Sequence, residues 1–202
     1  EICACLVGSE MCIRDRHDLG LRYITVPYIN CDINELSEAE AFEYRKHPIL
    51  AYSVLEEEKW MDPFVKKMVL VHHERRDGSG FPLKQKTRDT ECGILQACDA
   101  FDCFISGMEC RRMSIQQALE YLVEGTDIFY DRRIVRVIER LVARYPVGTR
   151  VRFNTGESGI VLKQTENSIR PVIGILDEEN RLTEKIYQLN KNKNVSILQV
   201  EN

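Results

Sequence analysis

The spacing of apolar residues predicts helices over the first two thirds of the chain. A start signal at Asp62-Pro63 leads into apolar positions that recur every three or four residues up to His72. Similar patterns predict helices over residues 91–105, over residues 114–124 and after Asp131, which caps the last one. This part of the chain is therefore predicted to be mainly α. The apolar face of the helix over residues 91–105 is predicted to carry Ile94, Leu95, Cys98, Phe101 and Ile105.

A capping box begins one further helix, and a proline interrupts it. Ser37 and Glu40 have the spacing at which a hydroxyl and a carboxylate satisfy the free amides of a helix start. Pro48 removes a hydrogen bond inside a helix but is favoured in the first turn of a new one. We therefore predict a helix to about Lys46, a break at His47 and a second helix over residues 48–57. The break turns the imidazole of His47 sideways, towards a site.

From Tyr145 onward the pattern changes to short apolar or alternating runs separated by Gly, Asn, Asp and Glu. Such runs are typical of strands in a small antiparallel sheet. We therefore predict a helical domain over residues 17–145 and a small β-rich unit over residues 146–202, in which no chemical constellation is apparent. The predicted strands cover residues 150–153, 159–163, 172–176, 186–189 and 195–200.

Residues 1–16 have no clear period and include three cysteines. The string CLVGSEMCIRDR is similar to a translated sequencing adaptor, and an amphipathic helix is the alternative interpretation. We treat residues 1–16 as non-native and exclude them from the fold prediction. On this interpretation the native part begins near His17 and is truncated at its N-terminus.

Composition restricts the class of protein. At 202 residues, with 44% hydrophobic and 30% charged residues, the chain suits one globular core with a small appendage. A net charge of −4 without a long basic run argues against nucleic-acid binding. No apolar run approaches the roughly 20 residues of a membrane helix. Eight cysteines without a signal peptide suggest reduced thiols and a cytoplasmic protein.

The candidate chemistry rests on the positions of the histidines. The chain has four, and each falls where a single metal centre would use it. Imidazole and carboxylate together suit iron, manganese or zinc, and a bridging aspartate suits two ions that act on a phosphoester. Each residue alone has a simpler explanation, as a surface pair, a helix-end histidine or a solvated carboxylate. The candidate ligands are His17, Asp18, His47, His72, His73, Asp99 and Asp102.

Four motifs carry a family resemblance. HDLG, KHPILAYSVLE, HHERRDGSGFP and CDAFDC, in this order over residues 16–124, resemble the HD-GYP family, a helical branch of the HD phosphohydrolase superfamily. The resemblance implies an HD-type helical bundle around two or three divalent metal ions, iron or manganese with zinc as an alternative. It also implies hydrolysis of cyclic di-GMP, or of a related phosphoester, in bacterial signal transduction.

The resemblance also implies roles for individual residues. Asp18 would bridge the metals, and Asp102 would be a candidate for a third metal or would support the ligands. One metal would be held by His17 and Asp99, and the other by His47, His72 and His73. The catalytic candidates are His17, Asp18 and Glu74. The substrate-binding candidates are Arg111 and four residues that match the GYP loop, which would also contact a signalling protein: Gly78, Gly80, Phe81 and Pro82.

Several residues depart from the family pattern. Phe81 stands where the motif has Tyr, and Leu21 stands where the family has a phosphate-binding Lys. The usual Arg-Pro-Tyr-Arg stretch is Met108-Glu109-Cys110-Arg111, in which Arg111 alone matches. Loss of two cations weakens capture of a dianionic substrate. The family also draws ligands from a helix before the HD pair, where the excluded segment lies. The full-length parent is therefore expected to be the phosphodiesterase, and the chain as written, with an incomplete metal site, is expected to be inactive.

Three hypotheses follow from these observations. The first is a metal-dependent phosphodiesterase. The second is a catalytically impaired module that binds a cyclic dinucleotide or a partner protein without hydrolysis. The third is a structural helical adaptor whose histidines pack in the core. A homodimer is expected by analogy alone.

Overall fold

The computed structural model describes residues 16–201, and the predictions for residues 1–15 lie outside the described residues. The order of elements confirms the predicted fold class, a helical HD-type region followed by an antiparallel β unit. A 3-10 helix at Leu19–Tyr23 is followed by α1 (Glu38–Tyr44), α2 (His47–Glu56), α3 (Pro63–Val71), α4 (Thr90–Ser106), α5 (Ile115–Glu124) and α6 (Arg132–Leu141). The strands are β1 (Arg150–Phe153), β2 (Ser158–Lys163), β3 (Val172–Leu176), β4 (Leu182–Gln188) and β5 (Ile197–Glu201).

Helix starts follow the predicted caps. The Ser37 hydroxyl accepts from the Glu40 amide while the Glu40 carboxylate accepts from the Ser37 amide, so the capping box of α1 is confirmed. Ser114 and Gln117 form the same box at α5. Asp62 caps α3 through the Phe64 amide at 2.7 Å. Side chains that satisfy free amides therefore set where these helices begin.

The break between α1 and α2 lies one or two residues earlier than predicted. Helix α1 ends at Tyr44, and His47 is the first residue of α2, with Pro48 in the first turn. The Nδ1 atom of His47 lies 2.9 Å from the Tyr44 carbonyl. The last turn of α1 therefore orients the histidine that opens α2.

The predicted apolar face of α4 is wrong in part. Ile94 is 48% exposed and Cys98 is exposed, whereas Gln96 and Asp99 are buried. The Gln96 amide donates to the Val71 carbonyl at 2.9 Å, and Asp99 faces His17. Helix α4 is therefore rotated about its axis relative to the prediction, and Gln96 and Asp99 contact partners in the interior.

The helical region has an apolar core between α2, α3 and α4. Its buried members are Ala51, Leu55, Met61, Val65, Met68, Val69, Val71 and Cys92. The chain divides into two compact units, the first ending at Val135 and the second beginning at Arg136, so α6 crosses the division. The domain boundary predicted after residue 145 stays a prediction. Within residues 16–201, no helix has the length and apolar character needed to cross a membrane.

The second unit contains one antiparallel sheet in the order β4-β3-β2-β1-β5. Strand β1 alternates exposed and buried residues, as a strand with one face on a core does. Strand β4 begins four residues before the predicted run over residues 186–189. The buried core of this unit consists of Val151, Phe153, Val161, Ile173, Ile175 and Leu189.

Gly20 allows the segment that carries His17 and Asp18 to approach α2. A Cβ atom at Gly20 would lie 1.9 Å from the His47 carbonyl oxygen and 2.9 Å from the Ala51 nitrogen. We expect Gly20→Ala to lower the free energy of unfolding by at least about 2 kcal/mol, because main-chain atoms must move to accept the methyl group. Urea unfolding measures this change.

Gly93→Ala, in the interior of α4, is the matched control. A Cβ atom there meets only a flexible contact, Ile134 Cδ1 at 3.1 Å, and alanine favours helix by about 1 kcal/mol. We expect unchanged or increased stability. If the two substitutions have equal effects, the close approach at Gly20 does not constrain the fold.

Candidate metal centre

Two buried histidines are held by main-chain carbonyls. His47 Nδ1 lies 2.9 Å from the Tyr44 oxygen, and His72 Nδ1 lies 2.6 Å from the Val69 oxygen. A carbonyl can only accept, so each Nδ1 carries the proton and each Nε2 keeps its lone pair. The two Nε2 atoms are 3.4 Å apart and point to the same place. Helix geometry therefore presents both imidazoles in the tautomer that binds a metal ion.

Asp18 lies between two groups of such ligands. Its Oδ1 is 3.6 Å from His47 Nε2 and 3.5 Å from His72 Nε2. Its Oδ2 is 3.4 Å from His17 Nε2, which in turn lies 3.2 Å from Asp99 Oδ1. Each carboxylate oxygen of Asp18 thus faces a different group, which is the arrangement in which an aspartate bridges two ions. We name the first group (Asp18, His47, His72, His73) the histidine-rich group and the second (His17, Asp18, Asp99) the acidic group.

The ligand spacing fits metal ions. Atoms bonded to one ion at about 2.0–2.1 Å lie about 2.8–3.4 Å apart for octahedral to tetrahedral angles. Four donor pairs of the histidine-rich group lie 3.1 to 3.6 Å apart, close to this range, and all its donor atoms lie within 4.8 Å of one another. Nitrogen with carboxylate oxygen is a donor set for iron, manganese or zinc. The residues present therefore fit a two-metal centre.

Burial keeps the imidazoles of His47 and His73 neutral. It lowers the pKa of His47 to about 3, with the neighbouring His72 acting in the same direction. Burial also lowers the pKa of His73 well below the usual histidine value. For Asp18, burial raises the pKa, but the hydrogen bond with His72 and the attraction to the neighbouring imidazoles of His17 and His72 outweigh it, so its pKa is lowered. Neutral imidazoles around an ionised carboxylate are the protonation states that bind metal ions.

The segment that matches the GYP loop packs on His73. The Phe81 ring stacks on the His73 ring with centroids 4.5 Å apart, and its amide donates to the His73 carbonyl at 3.2 Å. A Cβ atom at Gly80 would lie 2.4 Å from the same carbonyl oxygen, so glycine allows the close approach. Gly78 has φ +86°, which also favours glycine. The loop over residues 78–82 thus supports a ligand through ring packing, for which phenylalanine suffices.

Glu74 lies outside both ligand groups. Its carboxylate is buried and accepts from the Leu83 amide at 2.6 Å and from the Gln85 amide at 2.9 Å. These bonds tie the end of the loop to the histidine segment. The observed contacts therefore indicate a structural role for Glu74.

Two other predicted residues lie away from the ligand groups. Asp102 is exposed on α4 and belongs to neither group. The Arg111 guanidinium pairs with Glu35 at 3.3 Å, and its side chain is 78% exposed. Their predicted roles with a third metal and with substrate stay predictions.

Sequence reasoning missed Glu109 and Tyr44. Glu109 Oε1 accepts from the Tyr44 hydroxyl at 2.6 Å and lies 3.1 Å from His73 Nε2. Burial raises the pKa of Glu109 to about 7. The residue occupies the proline position of the family stretch and is therefore one of its mismatches. A charged residue at that position was the one signal in the sequence.

Comparisons with known proteins agree with this geometry. A family profile described as "HD domain" matches residues 17–134. The chain is 29% identical over 156 residues to Cyclic di-GMP phosphodiesterase PA4108 of Pseudomonas aeruginosa, covering 76% of this chain and 37% of that protein. It is 29% identical over 131 residues to Cyclic di-GMP phosphodiesterase response regulator RpfG of Xanthomonas campestris pv. campestris, covering 61% and 34%. The chain thus spans about a third of the length of these curated relatives.

A solved structure shares the fold. Bd1817, an HDG"Y"P protein from Bdellovibrio bacteriovorus, superposes with a TM-score of 0.51 at 19% identity, covering 59% of this chain and 38% of that one. At this identity the likeness concerns the fold.

Replacing Glu74 separates a structural part from a catalytic one. We expect Glu74→Gln to lower the free energy of unfolding by about 1–3 kcal/mol, because one of two buried amides loses its acceptor. Amide hydrogen exchange should accelerate at Leu83 and Gln85, and urea unfolding gives the stability. Unchanged stability and exchange, together with lost turnover, would instead support the predicted catalytic role.

Acid should destabilise the metal-free protein. Below pH 6.5 the unfolded chain binds a proton at His47 that the folded protein, with a pKa of about 3, does not bind. Stability is therefore lost as the pH falls from about 6.5 towards 3. His47 alone contributes a loss of about 2 kcal/mol between pH 7 and pH 5. Urea unfolding in the presence of a chelator at the two pH values measures the loss.

Protonation of Glu109 has the opposite effect on stability, and a variant of Glu109 is the control. Its raised pKa of about 7 means that the folded protein binds a proton that the unfolded chain releases above pH 4.5. This contribution gains stability as the pH falls from 7 to 4.5. Glu109→Gln should therefore lose more stability than the wild type over the same interval. Constant or rising stability of the variant on acidification would contradict the burial of neutral imidazoles.

Proposed function

Because this chain belongs to the HD-domain family, as a member of its HD-GYP branch, we propose that it is a metal-dependent phosphodiesterase acting on cyclic di-GMP. The observation that carries the proposal is the position of Asp18, with one carboxylate oxygen towards the histidine-rich group and the other towards the acidic group. The names of the two curated relatives support the substrate.

The proposed centre holds two ions, of iron or manganese with zinc as an alternative. His47, His72 and His73 would hold one ion, His17 and Asp99 the other, and Asp18 both. Two divalent ions lower the pKa of water and neutralise charge on a phosphoryl oxygen in an in-line displacement.

The candidate ligands differ in how far their side chains are exposed to solvent. His47 and His72 have fully buried side chains, so they anchor the centre, whereas His17 and Asp18 are 18% and 28% exposed. The exposed side of Asp18 and His17 is therefore where a phosphodiester can reach the centre. The stack of Phe81 on His73 covers that imidazole with an apolar ring.

A second candidate function is binding without hydrolysis. It is favoured by the lack of cations at two family positions, where this chain has Leu21 and Met108. The cation that is kept, Arg111, pairs with Glu35 at the surface. Such a module would bind the dinucleotide, or a signalling protein at the loop over residues 78–82. A cytoplasmic location and a homodimer remain predictions.

Replacing the shared carboxylate tests the first function. We expect Asp18→Asn to lower turnover of cyclic di-GMP at least about a hundredfold and to lower bound manganese below one ion per chain, because both groups lose a ligand. Chromatography of the linearised product and metal analysis of the same sample measure the two effects.

Glu124→Gln is the control, since its carboxylate is exposed on α5 and joins neither group. We expect it to keep two ions and wild-type turnover. If the manganese-loaded wild-type protein binds cyclic di-GMP without cleaving it, the second function replaces the first.

A further inference from the structure

Glu109 is held in place by the main chain on both sides. Its amide donates to the Tyr28 carbonyl at 2.8 Å, and its carbonyl accepts from the Ile33 amide at 3.0 Å. Its φ of +62° is rare for a residue with a side chain and costs about 1 kcal/mol or more. The surrounding segment therefore fixes the direction in which this side chain leaves the backbone.

The carboxylate of Glu109 has a dedicated donor. The Tyr44 hydroxyl donates to Oε1 at 2.6 Å, and Tyr44 is fully buried. The Tyr44 ring packs against the His47 ring with centroids 4.9 Å apart. The Glu109 side chain is 17% exposed. Tyr44 thus positions a carboxylate oxygen beside the histidine-rich group without closing it off from solvent.

His73 is held differently from the other two histidines of its group. Its Nδ1 lies 3.6 Å from Asp99 Oδ2, and its Nε2 lies 3.1 Å from His47 Nε2. Glu109 Oε1 lies the same 3.1 Å from that Nε2. His47 and His72 are each held by a main-chain carbonyl, whereas His73 is surrounded by side chains of the centre.

These distances match the spacing of two atoms that are bonded to the same metal ion. Two atoms bonded to one ion at about 2.1 Å, at angles near 90°, lie about 3.0 Å apart. Both neighbours of His73 Nε2 meet this spacing. We propose that Glu109, positioned by Tyr44, is an additional carboxylate ligand of the ion held by His47, His72 and His73. This inference rests on the proposed two-metal centre.

The added ligand changes the character of the site. The histidine-rich group offers four donor atoms, a number that suits tetrahedral zinc. Glu109 lies beside His73 but outside the set of donor atoms within 4.8 Å of one another, so its side chain has to turn towards the ion. It then raises the count to five and adds a second negative oxygen. Higher coordination with more oxygen favours manganese or iron over zinc. Glu109 is thereby a determinant of which metal the chain prefers.

Cobalt titration tests the assignment without substrate. The full chain, stripped of metal, is titrated with Co²⁺ while visible absorption is followed, since four-coordinate cobalt absorbs more strongly than five- or six-coordinate cobalt. We expect Glu109→Gln to weaken cobalt binding at least about tenfold and to raise the absorption per ion. Tyr44→Phe, which keeps the ligand and loses its donor, should weaken binding less. Glu124→Gln, at an exposed position of α5, should match the wild type.

The outcomes are distinct. If Glu109→Gln folds, by circular dichroism, and has wild-type affinity and spectrum, the inference is overturned. The same holds if Glu109→Gln and Glu124→Gln lose affinity equally. A wild-type chain that takes up no cobalt overturns this inference together with the proposed centre. A chain with the expected cobalt behaviour but no hydrolysis of cyclic di-GMP contradicts the proposed enzyme and supports the ligand assignment.

Discussion

The convergence of buried imidazoles on Asp18 is the constraint on which the helical region depends. Neutral rings enclosed beside an ionised carboxylate are costly unless hydrogen bonds or cations satisfy them. The fold supplies the hydrogen bonds from helix ends, through the carbonyls of Tyr44 and Val69. It then brings the Asp18 segment against α2 at a glycine, Gly20. The positions of the helix ends thus orient the residues of the site, in addition to their part in packing the core.

The motif after the histidines combines two kinds of support. Phe81 contacts a ligand ring directly, whereas Glu74 holds the loop through two main-chain amides. A residue adjacent to two ligands in sequence can therefore lie outside the ligand groups, since the chain turns away after His73. This division explains why a loop without the motif's usual tyrosine hydroxyl still packs on the centre.

Local signals in the sequence predicted where the helices begin, and the structure brings most of the candidate ligands together. Capping residues such as Ser37 and Asp62 act within one turn, so their effect can be read without tertiary structure. The rotation of α4 could not be read in this way, because Asp99 is buried by partners from distant segments. Glu109 was missed for the same reason. Its direction depends on an αL backbone and on pairing with the segment around Tyr28, neither of which leaves a periodic pattern.

Two ions are expected on opposite oxygens of the Asp18 carboxylate, and anomalous diffraction from manganese-soaked crystals tests this most directly. The expected map has two peaks, one bonded to Nε2 of His47 and His72, the other to His17 and Asp99, with Asp18 between them. A single peak, or peaks that leave Asp18 unbonded to either ion, would contradict it.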